Sequence, residues 1–519
     1  MDQSAKLQPG DSSYSGLAAA GGRERAPRRR SASSLLSLSF IRFLTLSVTF
    51  GLPLWARRPS EFAVALPNGS PQATQSSQPT ANPPDRNSKR VVFTEISHRL
   101  HIKLSPIANP PDLAALGQQI KSSDYSLDYA RRKLVPAMGG SIAVGDYDGD
   151  GNPDLYIVVP GGTNHLLHNN GRGKFSDVTK KARVSGPEDS LSAVFADYDH
   201  SGRQSLFVVG LGGVTLYRNN GDGTFSNDTQ KAGLIGIPTE LDTAALLFGS
   251  GNNSVPDLLV TAYTDLGKTP AKSSFVFPKD FQGTSSHLYH NNGDGTFREI
   301  TMTAGLASNP GRARCAVSAD FNGDGQPDLL LLRDNKPPVL YLNQGGDKFR
   351  DATGQAGEDI WDYAFVSANV ADFNHDGMPD LALWSTVKYK VLLNQGSALF
   401  DDIEHVPGIR QPAAPFVFHG TVIGPNGGST EELLVADVGF KWHIIANDAG
   451  KLKEMPAVFS AENFQRGRKR LTDSGNLLEP VSMVVALRLG KRERLVFLAL
   501  TADGQVAAFE EQESSKVRQ

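Results

Sequence analysis

The feature that most constrains this chain is a carboxylate-rich loop, residues 146–154, between two apolar runs. Oxygen-bearing side chains stand at loop positions 1, 3, 5 and 9, and a glycine stands at position 6 for the sharp turn. A hard cation such as Ca²⁺ takes ligands of this kind from one short segment. An EF-hand would need a bidentate Glu at position 12, but Ile157 stands there in a β-branched run. The stretch therefore predicts a strand, a metal loop closed by Asp154, and a second strand.

The same stretch recurs along the chain. Residues 320–328 and 372–380 retain every ligand position and the proline before the last aspartate. Residues 197–205 have lost the last carboxylate, and residues 249–257 keep mainly Asp257. The scaffold therefore repeats more faithfully than the metal site does.

A glycine-rich turn followed by phenylalanine also recurs, with the clearest copies at residues 218–225 and 290–297. Asn-Gly and Asp-Gly between apolar runs favour a tight hairpin, because these residues accept the positive φ that it requires. Each repeat is therefore predicted to form four strands. Loop starts lie 51 residues apart at Asp146 and Asp197, and 52 apart at Asp320 and Asp372. A four-stranded unit of this period is typical of a propeller blade.

The third repeat is longer than the others, because 71 residues separate Gly249 from Asp320. The hairpin positions place an insertion of about twenty residues at 263–286, on the face opposite the metal loops. Its three phenylalanines argue against plain disorder. We expect the insertion either to bind a ligand or to cover the propeller's own channel.

The repeat continues in weaker form to residue 509. Residues 424–435 take the sixth loop position without its ligands, and residues 484–500 read as a seventh pair of strands. The chain thus predicts an all-β, seven-bladed propeller of four-stranded blades over residues 91–509, with a polar tail at 510–519. Residues 93–97 match the closing strand of other repeats and are predicted to complete the last blade. An open ring would expose two sheet edges.

The region before the propeller has three parts. Residues 1–34 are Ser/Ala/Gly/Arg-rich and predict a disordered basic region, and residues 57–90 form a Pro/Ser/Gln-rich linker. Between them, the apolar run 35–56 follows a basic stretch, which is typical of a signal peptide or a single membrane anchor. We therefore expect an exported protein, secreted or anchored with the propeller outside the cytoplasm.

Composition narrows the function further. A net charge of −3 and a pI near 6.4 give no electrostatic basis for nucleic-acid binding. The one cysteine, Cys315, excludes an internal disulfide framework and a zinc–cysteine site. We interpret it as a small structural residue in a strand.

At these motifs the chain resembles the FG-GAP/VCBS repeat proteins, the propeller family that includes integrin α-subunit heads. The Phe-x-Asp-Val-Thr and Asn-Asn-Gly-Asp-Gly-Thr-Phe phrases are similar to those of cartilage-acidic-protein-like and bacterial secreted VCBS proteins. The resemblance implies about three Ca²⁺ sites, with a backbone carbonyl as the ligand at position 7. The implied ligands are Asp146, Asp148, Asp150, Asn152 and Asp154; Asp320, Asn322, Asp324, Gln326 and Asp328; and Asp372, Asn374, Asp376, Met378 and Asp380.

Two classes of function stay open. The first is a non-catalytic, Ca²⁺-stiffened scaffold that binds a protein or polysaccharide outside the cytoplasm. The second is a carbohydrate-active enzyme, such as a lyase, with an active centre assembled from several blades. Fold alone does not choose between them.

No catalytic residue is assigned from the sequence. His168 and His290 invite such a role, but the matching residue is Arg218 in another blade and Leu342 in a fourth. We therefore interpret them as residues of the surface at strand ends, and His165 and His287 likewise. The basic cluster 466–470 is interpreted as a solvated loop between blades.

Overall fold

The computed structural model describes one propeller and the short elements that pack on it. Every described residue belongs to the unit Thr45–Gln519, one of two compact units. The predicted basic region, apolar run and linker lie outside the described residues, as does the cluster 466–470. In the part of the chain that is described, no helix is long and apolar enough to cross a membrane. The described residues are 91–102, 104, 115–249, 255–357, 360, 363–385, 389–402, 419–423, 432–436, 442–448, 451–455, 457–460, 481–489, 494–501 and 505–512.

Short elements precede and connect the blades. Helical segments are brief: α1 (Ser97–Leu100), α2 (Leu127–Tyr129), α3 (Val135–Ala137), α4 (Thr179–Ala182) and α5 (Thr301–Ala304), with a π turn at Ala130–Leu134 and 3₁₀ turns at Ser122–Asp124 and Thr353–Gln355. Two strands precede the first blade, β1 (Val91–Glu95) and β2 (Gln119–Lys121).

Each repeat forms one antiparallel sheet, with its strands in chain order from the centre outwards. The first is β3 (Ser141–Gly145), β4 (Asp154–Val158), β5 (His165–Asn169) and β6 (Phe175–Asp177). The second is β7 (Ser190–Ala196), β8 (Ser205–Gly210), β9 (Gly213–Asn219) and β10 (Phe225–Asn227). The third is β11 (Glu240–Phe248), β12 (Asp257–Asp265), β14 (His287–Asn291) and β15 (Phe297–Glu299), with β13 (Ser274–Val276) in the insertion.

Three further sheets continue the same order. The fourth is β16 (Ala313–Ala319), β17 (Asp328–Arg333), β18 (Val339–Asn343) and β19 (Phe349–Asp351). The fifth is β20 (Ser367–Ala371), β21 (Asp380–Trp384), β22 (Tyr389–Asn394) and β23 (Phe400–Asp402). The sixth is β24 (His419–Ile423), β25 (Glu432–Ala436), β26 (Trp442–Asp448) and β27 (Lys451–Met455).

The predicted count of seven four-stranded blades is wrong. Among the described residues six sheets have four strands, and the sheet that joins the two ends of the ring has five, in the order β28–β1–β31–β30–β29. The extra strand pairs in parallel with β1, so it takes up the outer edge that β1 would otherwise leave unpaired. The new strands are β28 (Ala457–Ser460), β29 (Val481–Leu489), β30 (Arg494–Thr501) and β31 (Val506–Gln512).

The five-stranded sheet closes the ring. Its inner strand β29 contacts both β24 and β3, the inner strands of the sixth and first sheets. The N-terminal strand β1 pairs antiparallel with β31, with Phe93 opposite Glu511 and Glu95 opposite Phe509. The strand thus lies where sequence analysis put it, although it begins and ends two residues earlier than residues 93–97.

The residues after β1 fix this closure. The backbone N–H of Ile96 donates to the carbonyl of Ala508 at 2.8 Å, and Ser97 Oγ accepts from the N–H of Ala508 at 2.9 Å. The side chains of Ile96 and Leu100 are buried in one core with residues of β3, β29 and β30. The N-terminal segment therefore contributes both edge pairing and apolar burial.

The insertion of the third blade packs inwards. Phe275, Phe277 and Phe281 are all buried, and their rings contact one another with centroids 5.3 Å apart for both Phe275–Phe281 and Phe277–Phe281. Strand β13 pairs with β2, so the insertion is tied to the segment 115–138. This packing favours the covering role over a ligand-binding role for the phenylalanines.

The insertion and the segment 115–138, together called the covering segments, share a buried core with the inner strands of the ring. Leu134 and Met138 belong to the same buried cluster as Leu241 of β11 and Ala368 of β20. Cys315 lies in this cluster as well, and burial raises the pKa of its thiol to about 12. The structure thus places Cys315 as the buried strand residue that was expected.

Ring closure by β1 is testable by truncation. A chain that lacks residues 1–89 keeps β1 and should melt like the full chain. A chain that lacks residues 1–97 loses β1 and the contacts of Ile96 and Ser97 with Ala508, so it should melt at a lower temperature and aggregate through the exposed edge of β31. Calorimetry and light scattering measure both effects, and equal melting of the two truncations would contradict the closure.

Candidate metal-binding loops and their neighbours

The first loop, residues 146–154, is organised by Asp146. Its Oδ1 accepts from the backbone N–H of Gly149 and Asp150 at 2.9 and 3.1 Å, and its Oδ2 accepts from Gly151 at 2.9 Å. Gly149 and Gly151 have φ angles of 74° and 82°, the left-handed region that glycine adopts without strain. The glycines therefore let the chain turn around one carboxylate.

Three carboxylates converge in this loop. Oxygen atoms of Asp146, Asp148 and Asp150 lie within 4.8 Å of one another, and Asp148 and Asp150 are exposed. Like charges at this distance repel, and a divalent cation between them would offset that repulsion. The arrangement fits the predicted oxygen-ligand site, although the assignment of ligands stays a prediction.

The closing aspartate has a different environment. Asp154 is fully buried; its Oδ2 accepts from the N–H of Tyr147 at 3.2 Å and its Oδ1 from the N–H of Asn169 at 2.7 Å. It therefore joins the loop to the third strand of its blade. Burial, with a further contribution from Asp148, raises the pKa of Asp154 to about 7, against the two backbone N–H groups that lower it.

The other two complete loops repeat this plan. Asp328 accepts from the N–H groups of Phe321 and Asn343 at 3.0 and 2.8 Å. Asp380 accepts from Phe373 and Asn394, at 2.8 Å in both cases. Burial raises the pKa of each of these two carboxyl groups to about 6.

The remaining predicted ligands lie in the same turns. Asp320 and Asp372 accept from loop N–H groups as Asp146 does, including those of Gly325 at 2.8 Å and Gly377 at 2.9 Å. At position 3, the side-chain amides donate to the carboxylate at position 5, at 2.9 Å for Asn322–Asp324 and 2.8 Å for Asn374–Asp376. At position 7, the N–H groups of Asn152, Gln326 and Met378 each donate at 2.8 Å to the carboxylate at position 5; their carbonyls stay predicted ligands.

The incomplete second loop keeps the turn without the closing charge. Asp197 accepts from the N–H groups of Ser201 and Gly202, at 2.9 Å in both cases. Ser205 Oγ accepts from the N–H of Asn219 at 3.1 Å, in the position that a carboxylate holds in the complete loops. The closing position therefore needs an acceptor for the fold but a carboxylate only for the predicted metal.

The loops also connect neighbouring blades, which sequence analysis missed. Side-chain amides of the third strand donate to the position-2 carbonyl of the preceding blade's loop. The three cases are Asn219 to Tyr147 at 2.7 Å, Asn291 to Tyr198 at 2.8 Å and Asn394 to Phe321 at 2.9 Å. The hairpin pattern predicts the turn at these asparagines but not their contact with the preceding blade.

Aromatic pairs reinforce the same junctions. The position-2 ring of one loop packs on the phenylalanine that begins the next blade's outer strand. Centroid distances are 6.0 Å for Tyr147–Phe225, 5.6 Å for Tyr198–Phe297 and 5.7 Å for Phe321–Phe400. The recurring phenylalanine after the hairpin therefore seals one blade against the loop before it.

The interpretation of His168 as a mere surface residue needs correction. Its Nδ1 lies 3.2 Å from both Asp148 Oδ2 and Asp154 Oδ1, beside two predicted ligands, and its side chain is 26% exposed. The pairing of β4 with β5 explains this position, because it brings His168 next to Asp154, the closing aspartate of the loop.

His290 occupies the matching position in the third blade. Its Nδ1 lies 3.3 Å from Asp257 Oδ1 and 3.3 Å from Asp347 Oδ2, an aspartate in the hairpin of the fourth blade. Asp257 and Asp347, which belong to different repeats, therefore both lie beside His290.

His165 and His287 form cross-strand pairs with the outer strand. His165 Nδ1 lies 2.7 Å from Asp177 Oδ2, and His287 Nδ1 lies 2.8 Å from Glu299 Oε1. His287 also contacts Glu240, whose Oε1 lies 2.5 Å from Nε2. Burial lowers the pKa of His287, but the hydrogen bonds to Glu240 and Glu299 prevail and raise it to about 10.

The raised pKa of Asp154 predicts a pH-dependent stability in chelator. Between the usual aspartate pKa of about 3.9 and the folded value of about 7, the folded chain binds more protons than the unfolded chain. Stability should therefore fall as the pH rises through that window. Asp154→Ser keeps an acceptor for Asn169, as Ser205 does for Asn219, and should make the fall in Tm shallower. Scanning calorimetry measures both slopes, and equal slopes would contradict the raised pKa.

Comparison with known proteins identifies repeats of a known type around these loops. A family described as "FG-GAP-like repeat" matches residues 146–208, 252–331 and 320–383. Cartilage acidic protein 1 from Homo sapiens is 29% identical over 237 residues, which cover 40% of this chain and 32% of that protein. The Mus musculus protein is 28% identical over 237 residues, covering 40% of this chain and 33% of that protein. The chain thus spans about a third of the length of the curated relatives it matches.

Solved structures were also compared. An Agrocybe aegerita lectin that recognises non-reducing terminal N-acetylglucosamine gives a TM-score of 0.41 at 19% identity, covering 61% of this chain and 79% of that chain. BBS1N in complex with ARL6DN gives 0.43 at 11% identity, covering 72% of this chain and 91% of that chain. The chain thus contains FG-GAP-like repeats, and the sheets that these repeats form are blades of a β-propeller.

Proposed function

We propose that this chain is an exported, non-catalytic scaffold that binds a protein or polysaccharide and is stiffened by Ca²⁺ at three loops. The observation that carries the proposal is that three loops share one plan. In each loop, the carboxylate at position 1 accepts hydrogen bonds from loop N–H groups, and the carboxylate at position 9 is buried. In each, oxygen-bearing side chains stand between the two.

The ligand chemistry supports Ca²⁺ in particular. Ca²⁺ takes six to eight oxygen ligands at flexible geometry, and these loops offer carboxylate, amide and carbonyl oxygens. Asp154, Asp328 and Asp380 are fully buried carboxylates, and a nearby cation would compensate for their desolvation.

The connections between blades support a scaffold role. Position 2 of a loop receives an asparagine hydrogen bond and an aromatic ring from the next blade, as at Tyr147 with Asn219 and Phe225. A cation that orders the loop would therefore also restrict the motion of one blade against the next. The incomplete second loop keeps the same turn around Asp197. The turn therefore supports the structure of the blade even where the predicted ligand set is incomplete.

Calorimetric titration of the chelator-treated full chain tests the Ca²⁺ part. We expect three sites with Kd on the order of 10⁻⁴ to 10⁻³ M, and a rise in Tm with Ca²⁺. Asp154→Ser should remove one site. Asp199→Asn removes a carboxylate from the incomplete second loop and is the matched control, so it should keep all three. An absence of uptake, or three sites in Asp154→Ser, would contradict the assignment.

A glycan array followed by a turnover assay tests the scaffold part with the same preparations. Binding that needs Ca²⁺ and leaves the glycan intact supports the scaffold, and failure to bind any glycan would direct the search to proteins. Cleavage of a bound glycan would instead support a carbohydrate-active enzyme such as a lyase. Because the titration and the array are separate, Ca²⁺ binding and ligand binding can fail independently.

A further inference from the structure

A second group of metal-type ligands lies in the third blade, away from the loops. Glu240 and Asp242 lie near the beginning of β11, His287 begins β14, and Glu299 ends β15. The loop at residues 249–257 follows the other end of β11. The group therefore lies at the opposite end of the blade from the predicted Ca²⁺ loops.

The geometry of this group is compact. Ligand atoms of Glu240, Asp242 and His287 all lie within 4.8 Å of one another. Glu240 and Asp242 are 3% and 2% exposed, so two carboxylates are buried side by side. His287 presents Nε2 to Glu240 at 2.5 Å, while Glu299 holds Nδ1 from the other side at 2.8 Å. Glu299 therefore orients the imidazole ring of His287 towards Glu240 and Asp242.

Asp242 supplies the independent observation. Among the described residues, its Oδ1 is a buried atom for which there is no hydrogen-bond partner. An unpaired carboxylate oxygen in the interior is costly unless another ligand satisfies it.

The backbone at this point is also specialised. The pairing of β11 with β12 shifts register on both sides of Asp242. The pairings of β7, β16 and β29 each show a single shift near the same end, whereas those of β3, β20 and β24 show none. Among the described inner strands, shifts on both sides of one residue occur at Asp242, and bulges of this kind re-aim side chains.

Other blades show which parts are scaffold. In the first blade, His165 and Asp177 form the same cross-strand pair as His287 and Glu299, and in the fifth Lys390 and Asp402 do so at 3.0 Å. Strand β3 of the first blade contains no carboxylate. The two buried carboxylates therefore add to a pair that the fold uses without them.

We propose that Glu240, Asp242 and His287 form a site for a divalent transition-metal ion, and that Glu299 is the positioning residue of the histidine. One imidazole nitrogen with two carboxylate oxygens suits Zn²⁺ and its neighbours, whereas Ca²⁺ takes oxygen ligands alone. A carboxylate on the second ring nitrogen is the usual outer partner of a metal-bound histidine. A metal ion bound at Nε2 would replace the contact of His287 with Glu240 Oε1.

Co²⁺ is the probe for this site. The chelator-treated full chain, in millimolar Ca²⁺ to fill the loops, is titrated with Co²⁺ and followed by visible absorption and calorimetry. We expect one Co²⁺ per chain, displaced by Zn²⁺. Weak binding to surface histidines would appear as further, unsaturated uptake with no distinct spectrum.

Variants separate the roles of the residues. His287→Gln and Asp242→Asn should abolish the Co²⁺ spectrum, and Glu299→Gln should weaken binding about 10- to 100-fold. His165→Gln removes the matched histidine of the first blade and should leave binding unchanged. Circular dichroism and Ca²⁺ uptake verify folding, and Asp242→Asn, which keeps the side-chain shape, provides the test if His287→Gln does not fold.

Two results would overturn the proposal. One is that the wild-type chain takes up Ca²⁺ or keeps its fold yet shows no saturable Co²⁺ site. The other is that the Co²⁺ spectrum persists in folded Asp242→Asn, or is lost equally in His165→Gln. Either result would assign the cluster to a proton-linked ion network around His287.

Discussion

A buried hydrogen-bond acceptor at the end of each carboxylate loop is the interaction on which the blades depend. In the first blade Asp154 accepts from Tyr147 in the loop and from Asn169 in the third strand, so one side chain joins three consecutive elements. The cost of burying this carboxylate is visible in its raised pKa. In the second blade the uncharged Ser205 Oγ accepts the matching hydrogen bond, from the N–H of Asn219. The fold therefore requires the acceptor, and the additional negative charge is the feature that the proposed cation would offset.

The loop has a second role because the next blade packs on it. The amide of Asn219 reaches the carbonyl of Tyr147, and Phe225 stacks on the tyrosine ring. These contacts need the backbone turn but no metal ligand. This explains why the sequence retains the turn, the asparagine and the phenylalanine in blades where ligands have been lost. Repetition of the motif thus reflects the junction between blades, whether or not a loop has the full set of predicted ligands.

Sequence reasoning located what local patterns encode. Among the described residues, the three complete loops, the hairpins and the N-terminal strand lie where the repeats predicted them, because turn chemistry and alternation are properties of short segments. Strand β28 was missed, since residues 457–460 carry no repeat phrase and pair only through tertiary contact. The covering segment 115–138 was missed because its helical turns are short and its apolar residues find partners far along the chain. His287 was misjudged because comparing matched positions one at a time hides its cross-strand neighbours.

The third blade differs from the first, fourth and fifth blades at both ends of its inner strand. Its loop keeps mainly Asp257, so the oxygen-only chemistry of the complete loops is reduced at that end. At the other end of β11, Glu240 and Asp242 place buried carboxylates beside a histidine that the blade design already holds in place. The inner strand β11 pairs with β12 from Glu240 to Phe248, so one strand leads from this cluster to the loop at its other end. The proposed transition-metal site and the predicted Ca²⁺ loops therefore differ in ligand chemistry and lie at opposite ends of the blades.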